Sequence, residues 1–506
     1  MQEAGGIVFC DGDGWNYGRF EQPNDPRFDY PREVDYCSGA SILIRASLFA
    51  EFGGFDSHYA PAYYEDTDLA FKVRQAGLKV IYQPRSEVVH FEGISSGTDT
   101  SSGIKRFQPI NRQKFLDRWA EALSRQPVHD GDLVRLNCEH RVKGRILIID
   151  ATTPTPDQDS GSVRMMNLLR LLLAENWKVV FFADNRAYVE GYSEAVRELG
   201  VEVQYHPWLS DPVDFFKRRG GDFDAVLVCR HYVASHYAEL VRQYCPKAKF
   251  LFDTVDLHYL REERAAKVEN DPAMARQARA TRKQELGLIR AADITLVVSP
   301  TEKELLKSEA PDARVEILSN IHSVPGRSMA FEQRSGILFV GGFQHTPNVD
   351  AVQWFVSEIW PRVRQALPEA EFQIVGSRMP KSVEDLGKEP GVIARGFVED
   401  LDPLLDCCRI AVAPLRYGAG VKGKVNSSMA HGQPVVMTAI AAEGMHLENG
   451  KHGLITDDPD AFADAVIALY QDPELWLRIS DGGIQNVTEN FSLESAQTAL
   501  RTILYR

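Results

Sequence analysis

The sequence predicts an α/β protein: two open parallel sheets in tandem, each flanked by helices, preceded by a shorter α/β segment. Three observations carry this expectation. From Arg145 onward, short apolar runs alternate with longer helical patterns, the rhythm of βαβ units. The rhythm restarts at "GILFVGG" after the loop "SNIHSVPGRSMAFEQRS", which separates two sheets. The apolar runs are continuous, as in strands covered on both faces.

The elements follow in order. "GGIVF" reads as a strand, followed by the turn-rich "CDGDGWNYG". In "VDYCSGASILIRASLFAEFGGFD" the pattern predicts a strand around Ala40–Ile44 and a short helix around Ala46–Phe52. "EDTDLAFKVRQAG" is a helix with acids in its first turn and Gly77 as its stop. "KVIYQP" and "EVVHFEG" read as strands, and "RFQPINRQKFLDRWAEAL" as a helix. Residues 1–125 form this first section, and the polar, aperiodic stretch 126–143 reads as a linker with a short helix. The first sheet is expected over 144–328, from "RILIID", "KVVFFAD", "VEVQYH", "AVLVCR", "KFLFDTVD" and "ITLVVS". The second is expected over 329–506, from "GILFVGG", "EFQIVG", "VIARGF", "IAVAPL" and "PVVMT".

Bulk properties narrow the function classes. With 506 residues there is room for about three domains. The net charge of −14 argues against a general nucleic-acid binder, which needs a basic surface. No apolar run reaches the roughly 18–20 residues of a membrane-spanning helix. "MQEAGGIVFCDGDGW" lacks the basic and apolar regions of a signal peptide. The seven cysteines are scattered without a C-x2-C pair, which predicts reduced thiols packed as small apolar groups.

Two strand-to-helix turns carry chemistry. In "DATTPTPDQDSGSVR", Gly161 opens a helix. In "APLRYGAGVKGKVNSSMAHGQPVV", Gly418 and Gly420 permit close backbone approach, and Lys422 and Lys424 supply positive charge before a helix. That composition and placement suit a diphosphate. Lys424, Ser427, Ser428 and His431 share one face of the helix, with Val425 and Met429 on the other.

"GILFVGGFQHTPNVDAVQWFVSEIWPRV", "FQIVGSRMP", "ARGFVEDLDPLL" and "IAVAPLRYGAGVKGKV" resemble the donor-binding domain of family 4 retaining glycosyltransferases, which have the GT-B fold of two tandem Rossmann-like domains. "PTPDQDSGSVRMMNLLRLL" and "FDTVDLHYLREER" resemble their acceptor-side domain, so the likeness covers about residues 145–495. The resemblance implies that Gly161 lies against the donor, Lys422 and Lys424 against its diphosphate, and Gly396 and Phe397 against the base. It implies no cofactor for this unit. The family's two glutamates spaced E-x7-E correspond to Ala419 and Ser427, which puts Ser427 at the donor ribose and leaves Glu443 as a nearby carboxylate. Asp256 and His258 are candidate catalytic residues lining the cleft; as plain structure, they would be a helix cap and a packed imidazole.

"VDYCSGASILIRASLF", "GGFDSHYAPAYYEDTDLAFKVRQAGLKVIYQP" and "VVHFEG" resemble the carboxyl half of a family 2 inverting glycosyltransferase, a partial GT-A α/β half domain. By that resemblance Asp66 is the general base, with Glu65 beside it; Asp35 faces the ligands and His90 helps hold a divalent metal, Mg or Mn, where a GT-A domain is complete. Alone, this half domain is expected to be inactive, and 144–506 is expected to fold without it.

Together these resemblances imply sugar transfer from a nucleotide-sugar donor to a glycan or lipid-linked acceptor in surface polysaccharide biosynthesis. They imply a cytoplasmic enzyme, with peripheral association at the inner membrane face as a further option, and no nucleic-acid partner. The alternatives are a non-catalytic nucleotide- or glycan-binding scaffold and a nucleotide-sugar epimerase on the same fold.

Overall fold

The computed structural model describes residues 1–89 and 103–505. The chain divides into two compact units. The first comprises Met1–Ile146, Leu172–Phe182 and Arg186–Pro212; the second comprises Leu147–Leu171, Ala183–Asn185 and Val213–Arg506.

The first unit opens with an antiparallel pair, β1 (Gly6–Val8) and β2 (Gly14–Asn16), with Ile7 opposite Trp15. A second short pair joins β3 (Arg32–Glu33) and β4 (Ile81–Tyr82). Helix Glu65–Gln75 carries Glu65, Asp66 and Asp68 in its first turn, where the helix dipole favours acids. It buries Leu69, Ala70 and Phe71, and the Phe71 ring meets Phe115 and Trp119 of helix Phe107–Leu123 at 4.9 and 5.5 Å. Asp68, wholly buried there, accepts from Trp119 Nε1 at 2.8 Å and Tyr59 Oη at 3.2 Å and pairs with Lys72 at 3.1 Å.

Two strand expectations fail in this unit. Ala40–Ile44 is turn and irregular backbone, with the Leu43 side chain fully exposed. Apolar composition alone does not make a strand; the backbone groups need a neighbour to pair with. Glu87–Val89 is likewise irregular, and the rest of "EVVHFEG", including His90, lies outside the described residues.

The seven-stranded sheet is built from β5 (Gly144–Asp150), β6 (Trp177–Ala183), β7 (Glu202–Gln204), β8 (Ala225–Cys229), β9 (Lys249–Asp253), β10 (Ile294–Val297) and β11 (Val315–Ile317). Its order is β11-β10-β9-β8-β5-β6-β7. The six-stranded sheet contains β12 (Ile337–Val340), β13 (Phe372–Val375), β14 (Val392–Gly396), β15 (Ile410–Ala413), β16 (Val435–Met437) and β17 (Leu454–Ile455). Its order is β14-β13-β12-β15-β16-β17, parallel throughout. Both have the doubly wound arrangement expected of tandem Rossmann-like domains, a GT-B fold. Phe339, Phe372, Ile374 and Val412 of the second sheet pack under Val352, Phe355 and Trp360 on one side, with Met429 and Phe462 also in that core.

Residues 126–143 pack inside the first unit. Gln126 Nε2 donates to Val8 O at 2.8 Å, and the Asp35 carboxylate meets His140 at 3.1 Å and Arg141 at 3.0 Å. Lys178 of β6 is buried between Glu139 and Glu202, each 3.2 Å away, with its ammonium 3.7 Å from the Tyr30 ring centroid. Arg197 pairs with Asp29 in the same unit.

Candidate functional site

The site lies in the second unit, where loops leave the carboxyl ends of parallel strands. Asp159 caps helix Ser160–Ala174: its carboxylate accepts from Ser162 N at 2.9 Å and Ser162 Oγ at 2.7 Å. Gly161 follows in the first turn, where a Cβ would stand 3.1 Å from Asp159 Oδ1 and 3.7 Å from the Arg230 guanidinium. Arg230 pairs with Asp150 at 2.9 Å.

The glycine-lysine loop comes from the other sheet and meets these elements. A Cβ on Gly423, the first residue of helix Gly423–Ala430, would lie 2.5 Å from Ser160 Cβ. Two helix amino termini therefore abut, and the positive ends of their dipoles lie close together. Gly420 has φ +68°, and a Cβ there would be 3.0 Å from Asp256 Cβ. Glycine meets both demands: left-handed backbone and close approach.

Lys422 turns back into this loop, whereas Lys424 turns toward β12 and helix Thr346–Trp354. Lys422 Nζ donates to Ala419 O at 3.0 Å and to Gly420 O. Lys424 Nζ donates to Asn348 Oδ1 and lies 4.3 Å from the Phe339 ring centroid. Burial lowers both ammonium groups, Lys422 to about 8 and Lys424 to about 7, and Lys422 adds to the effect on Lys424. These are strained cations near neutrality, and an incoming anion would relieve them.

Asp256 and His258 sit at the turn from β9 into helix His258–Glu269, and both are buried. Val255 just before them holds φ +65°, a strained conformation for a β-branched residue. Burial pushes the Asp256 carboxyl up, but Arg261 and then His258 outweigh it and hold it below the usual range. His258 Nδ1 stands 3.0 Å from Asp256 O and 3.3 Å from Asp256 Oδ1. Burial pulls this imidazole down to about 4, so it is neutral at pH 7.

Two buried carboxyls support the turn. Glu285 accepts from His258 N at 3.3 Å and Tyr259 N at 3.1 Å. Glu302 accepts from Leu257 N at 3.2 Å and Val298 N at 3.1 Å. Burial raises them to about 8 and about 7 respectively.

Glu443 is held by Arg264, whose Nη2 is 2.8 Å from Glu443 Oε1 and whose Nη1 also donates to Gly418 O at 2.8 Å. Ser427 is half-buried on helix Gly423–Ala430. His431 is bound to Asp406 at 2.8 Å. Gly396 ends β14 with φ +75° and open space around it, and Phe397 is 48% exposed.

Asp66 lies in the first unit. It accepts from Gly39 N of the "CSGA" turn at 2.8 Å and lines a cavity of about 960 Å³ with Glu3, Ser38 and Tyr82. Burial chiefly, with the Asp66 charge adding, raises Glu3 to about 7.

The structure thus brings Gly161, Gly418, Gly420, Lys422, Asp256 and His258 into one neighbourhood. Sequence reasoning missed Arg230, Arg261, Arg264, Glu285 and Glu302. The arginines had a local signal, since "HYLREER" places Arg261 and Arg264 three residues apart on one helix. Glu285 had none, because its partners are 26–27 residues away, whereas Glu302 had one in the Ser299-x-x-Glu302 capping pattern.

Residues 334–472 match the protein family described as "Glycosyl transferases group 1". In its N-terminal part the chain is 41% identical over 73 residues to an N-acetylglucosaminyl-diphospho-decaprenol L-rhamnosyltransferase of Mycobacterium tuberculosis, covering 14% of this chain and 24% of that protein. It is 26% identical over 163 residues to an uncharacterized 44.6 kDa protein in the cps region of Klebsiella pneumoniae, covering 31% of this chain and 42% of the relative. The chain therefore spans about a quarter of one relative's length and less than half of the other's. Among solved structures, sucrose-phosphate synthase from Thermosynechococcus elongatus superposes with a TM-score of 0.54 at 14% identity, covering 72% of this chain and 98% of that one. At that identity the likeness is one of fold.

Proposed function

We propose that the chain transfers a sugar from a nucleotide-sugar donor to a glycan or lipid-linked acceptor, with retention at the anomeric carbon, in surface polysaccharide biosynthesis. The meeting of two helix amino termini at Gly423 and Ser160, beside Lys422 and Lys424, carries this reading. Such a site favours a diphosphate and stabilises it as a leaving group, because its charge grows as the sugar departs. In this reading 144–328 supplies the acceptor side and 329–506 the donor side. The base stacks near Gly396 and Phe397, the ribose lies near Ser427, and Asp256 and His258 face the reacting sugar.

The transfer step draws on lysines and helix dipoles, and needs no metal in this proposal. The half domain with Asp66 contributes no transfer of its own. Among the described residues no helix is long and apolar enough to cross a membrane. The proposed station is the cytoplasm, at its membrane face when the acceptor is lipid-linked.

The test is release of nucleoside diphosphate from a panel of nucleotide-sugars, with and without candidate acceptors. Turnover lost in Lys422→Ala/Lys424→Ala supports transfer. A second reading, a binding scaffold, is favoured by Glu443 being bound to Arg264 while Ala419 and Ser427 carry no charge. Nucleotide binding without turnover on any donor would select it.

A further inference from the structure

We propose that His231, His258 and Glu285 form a site for one divalent transition-metal ion, zinc by preference, within the second unit. One donor atom from each lies within 4.8 Å of the others, and all three residues are buried. Two imidazoles and a carboxylate are a borderline-soft donor set that suits zinc better than magnesium or calcium. Zinc–nitrogen bonds of about 2.0–2.1 Å put tetrahedral ligands about 3.3 Å apart, so separations of up to 4.8 Å shorten by up to about 1.5 Å on binding.

Independent observations point to an ion. His231 is only 8% exposed, yet its Nδ1 is buried without a hydrogen-bond partner. A buried polar atom of that kind costs free energy unless something fills its lone pair or takes its proton. Glu262 follows His258 by one helical turn, and its Oε2 is a second buried atom without a hydrogen-bond partner. It lies near enough to His231 to act on it electrostatically. The rings of His231 and His258 are 4.8 Å apart, centroid to centroid.

His258 is also oriented for the task. With its proton on Nδ1 it donates to the Asp256 carbonyl and keeps the Nε2 lone pair, the usual partnership behind a metal-bound imidazole. With Nδ1 as the ligand, Asp256 O and Oδ1, at 3.0 and 3.3 Å, stand ready to complete the set.

The ion would join the start of helix His231–Tyr244, the start of helix His258–Glu269 and the middle of helix Pro272–Ala291. It would fix the strained Val255–His258 turn and so position Asp256. It borders the proposed donor site through the Asp256–His258 turn, which packs against Gly420, but uses neither lysine, and the proposal stands whether or not the chain transfers sugar.

The experiment titrates zinc chloride into the metal-stripped full chain by calorimetry, with circular dichroism to check folding. One zinc per chain, weakened more than about tenfold in His231→Ala and unchanged in the surface variant His236→Ala, supports the site. No zinc uptake, or uptake equal in wild type and His231→Ala, overturns it. If His231→Ala does not fold, cobalt(II) added to the wild type decides. The intense visible absorption of a four-coordinate nitrogen–oxygen complex without a thiolate charge-transfer band supports the site. A thiolate band or a six-coordinate spectrum overturns it.

Discussion

The Arg264 guanidinium grips the Glu443 carboxylate through both terminal nitrogens and also donates to the Gly418 carbonyl. One side chain thus ties the glycine loop of the second sheet to a helix of the first. The pair predicts strong coupling. Arg264→Ala and Glu443→Gln should each weaken binding of a nucleoside diphosphate, and the double variant should be scarcely worse than either. A double-mutant cycle on the dissociation constant should give an interaction of about 1 kcal/mol or more. Additive losses would instead mean that Glu443 touches the ligand on its own account.

Nucleotide binding should depend on pH through the lysines. Free, Lys424 titrates near 7 and Lys422 near 8; a bound diphosphate raises both. Below the free-state values both are already charged, and affinity is full. Above them, binding must first take up a proton, so affinity falls as pH rises from about 7. Calorimetry in buffers of different ionisation enthalpy should detect proton uptake near pH 8. Lys424→Arg, which stays charged, should flatten the lower part of the slope, whereas an unchanged profile would locate the diphosphate elsewhere.

Gly423 and Gly396 separate steric from conformational demands. A methyl group on Gly423 collides with Ser160 Cβ at 2.5 Å, so Gly423→Ala must push two helix ends apart. Overpacking of this kind costs about 1–3 kcal/mol and should lower nucleotide affinity with it. Gly396→Ala meets open space and bears only the strain of φ +75°, about 1 kcal/mol. Thermal melts and nucleotide titrations on the two variants should therefore rank Gly423→Ala as the more damaging.

The sheets were legible because their strands are buried on both faces, which leaves runs such as "RILIID" and "KVVFFA" without polar interruption. The strands missed in these two sheets, Val315–Ile317 and Leu454–Ile455, are short and only half-buried, so no such run marks them. Ala40–Ile44 has the composition of a strand, but pairing is a property of neighbours, which no local pattern reports. The glycine-lysine loop was legible in the site because its constraints are local. Arg264–Glu443 spans 179 positions and Leu257–Glu302 spans 45, distances over which only the folded chain makes the connection.

Lys178 bears on whether residues 144–506 stand alone. Its ammonium is buried between Glu139 and Glu202, under the Tyr30 ring, and two of those three partners precede Gly144. Removing 1–143 leaves this cation with Glu202 only and strips Asp29 from the buried Arg197. Breaking a buried pair from one side costs about 3–5 kcal/mol, less whatever water recovers at the newly opened surface. The shortened chain should therefore melt below the full one. Lys178→Met, which removes the charge and keeps the volume, should lower the melting temperature of the full chain more than that of the shortened one, because it breaks the contacts with Glu139, Glu202 and Tyr30 in the first and only the Glu202 pair in the second. Equal melting of the full and shortened chains would mean that the first 143 residues add nothing to the stability of the sheet beside them.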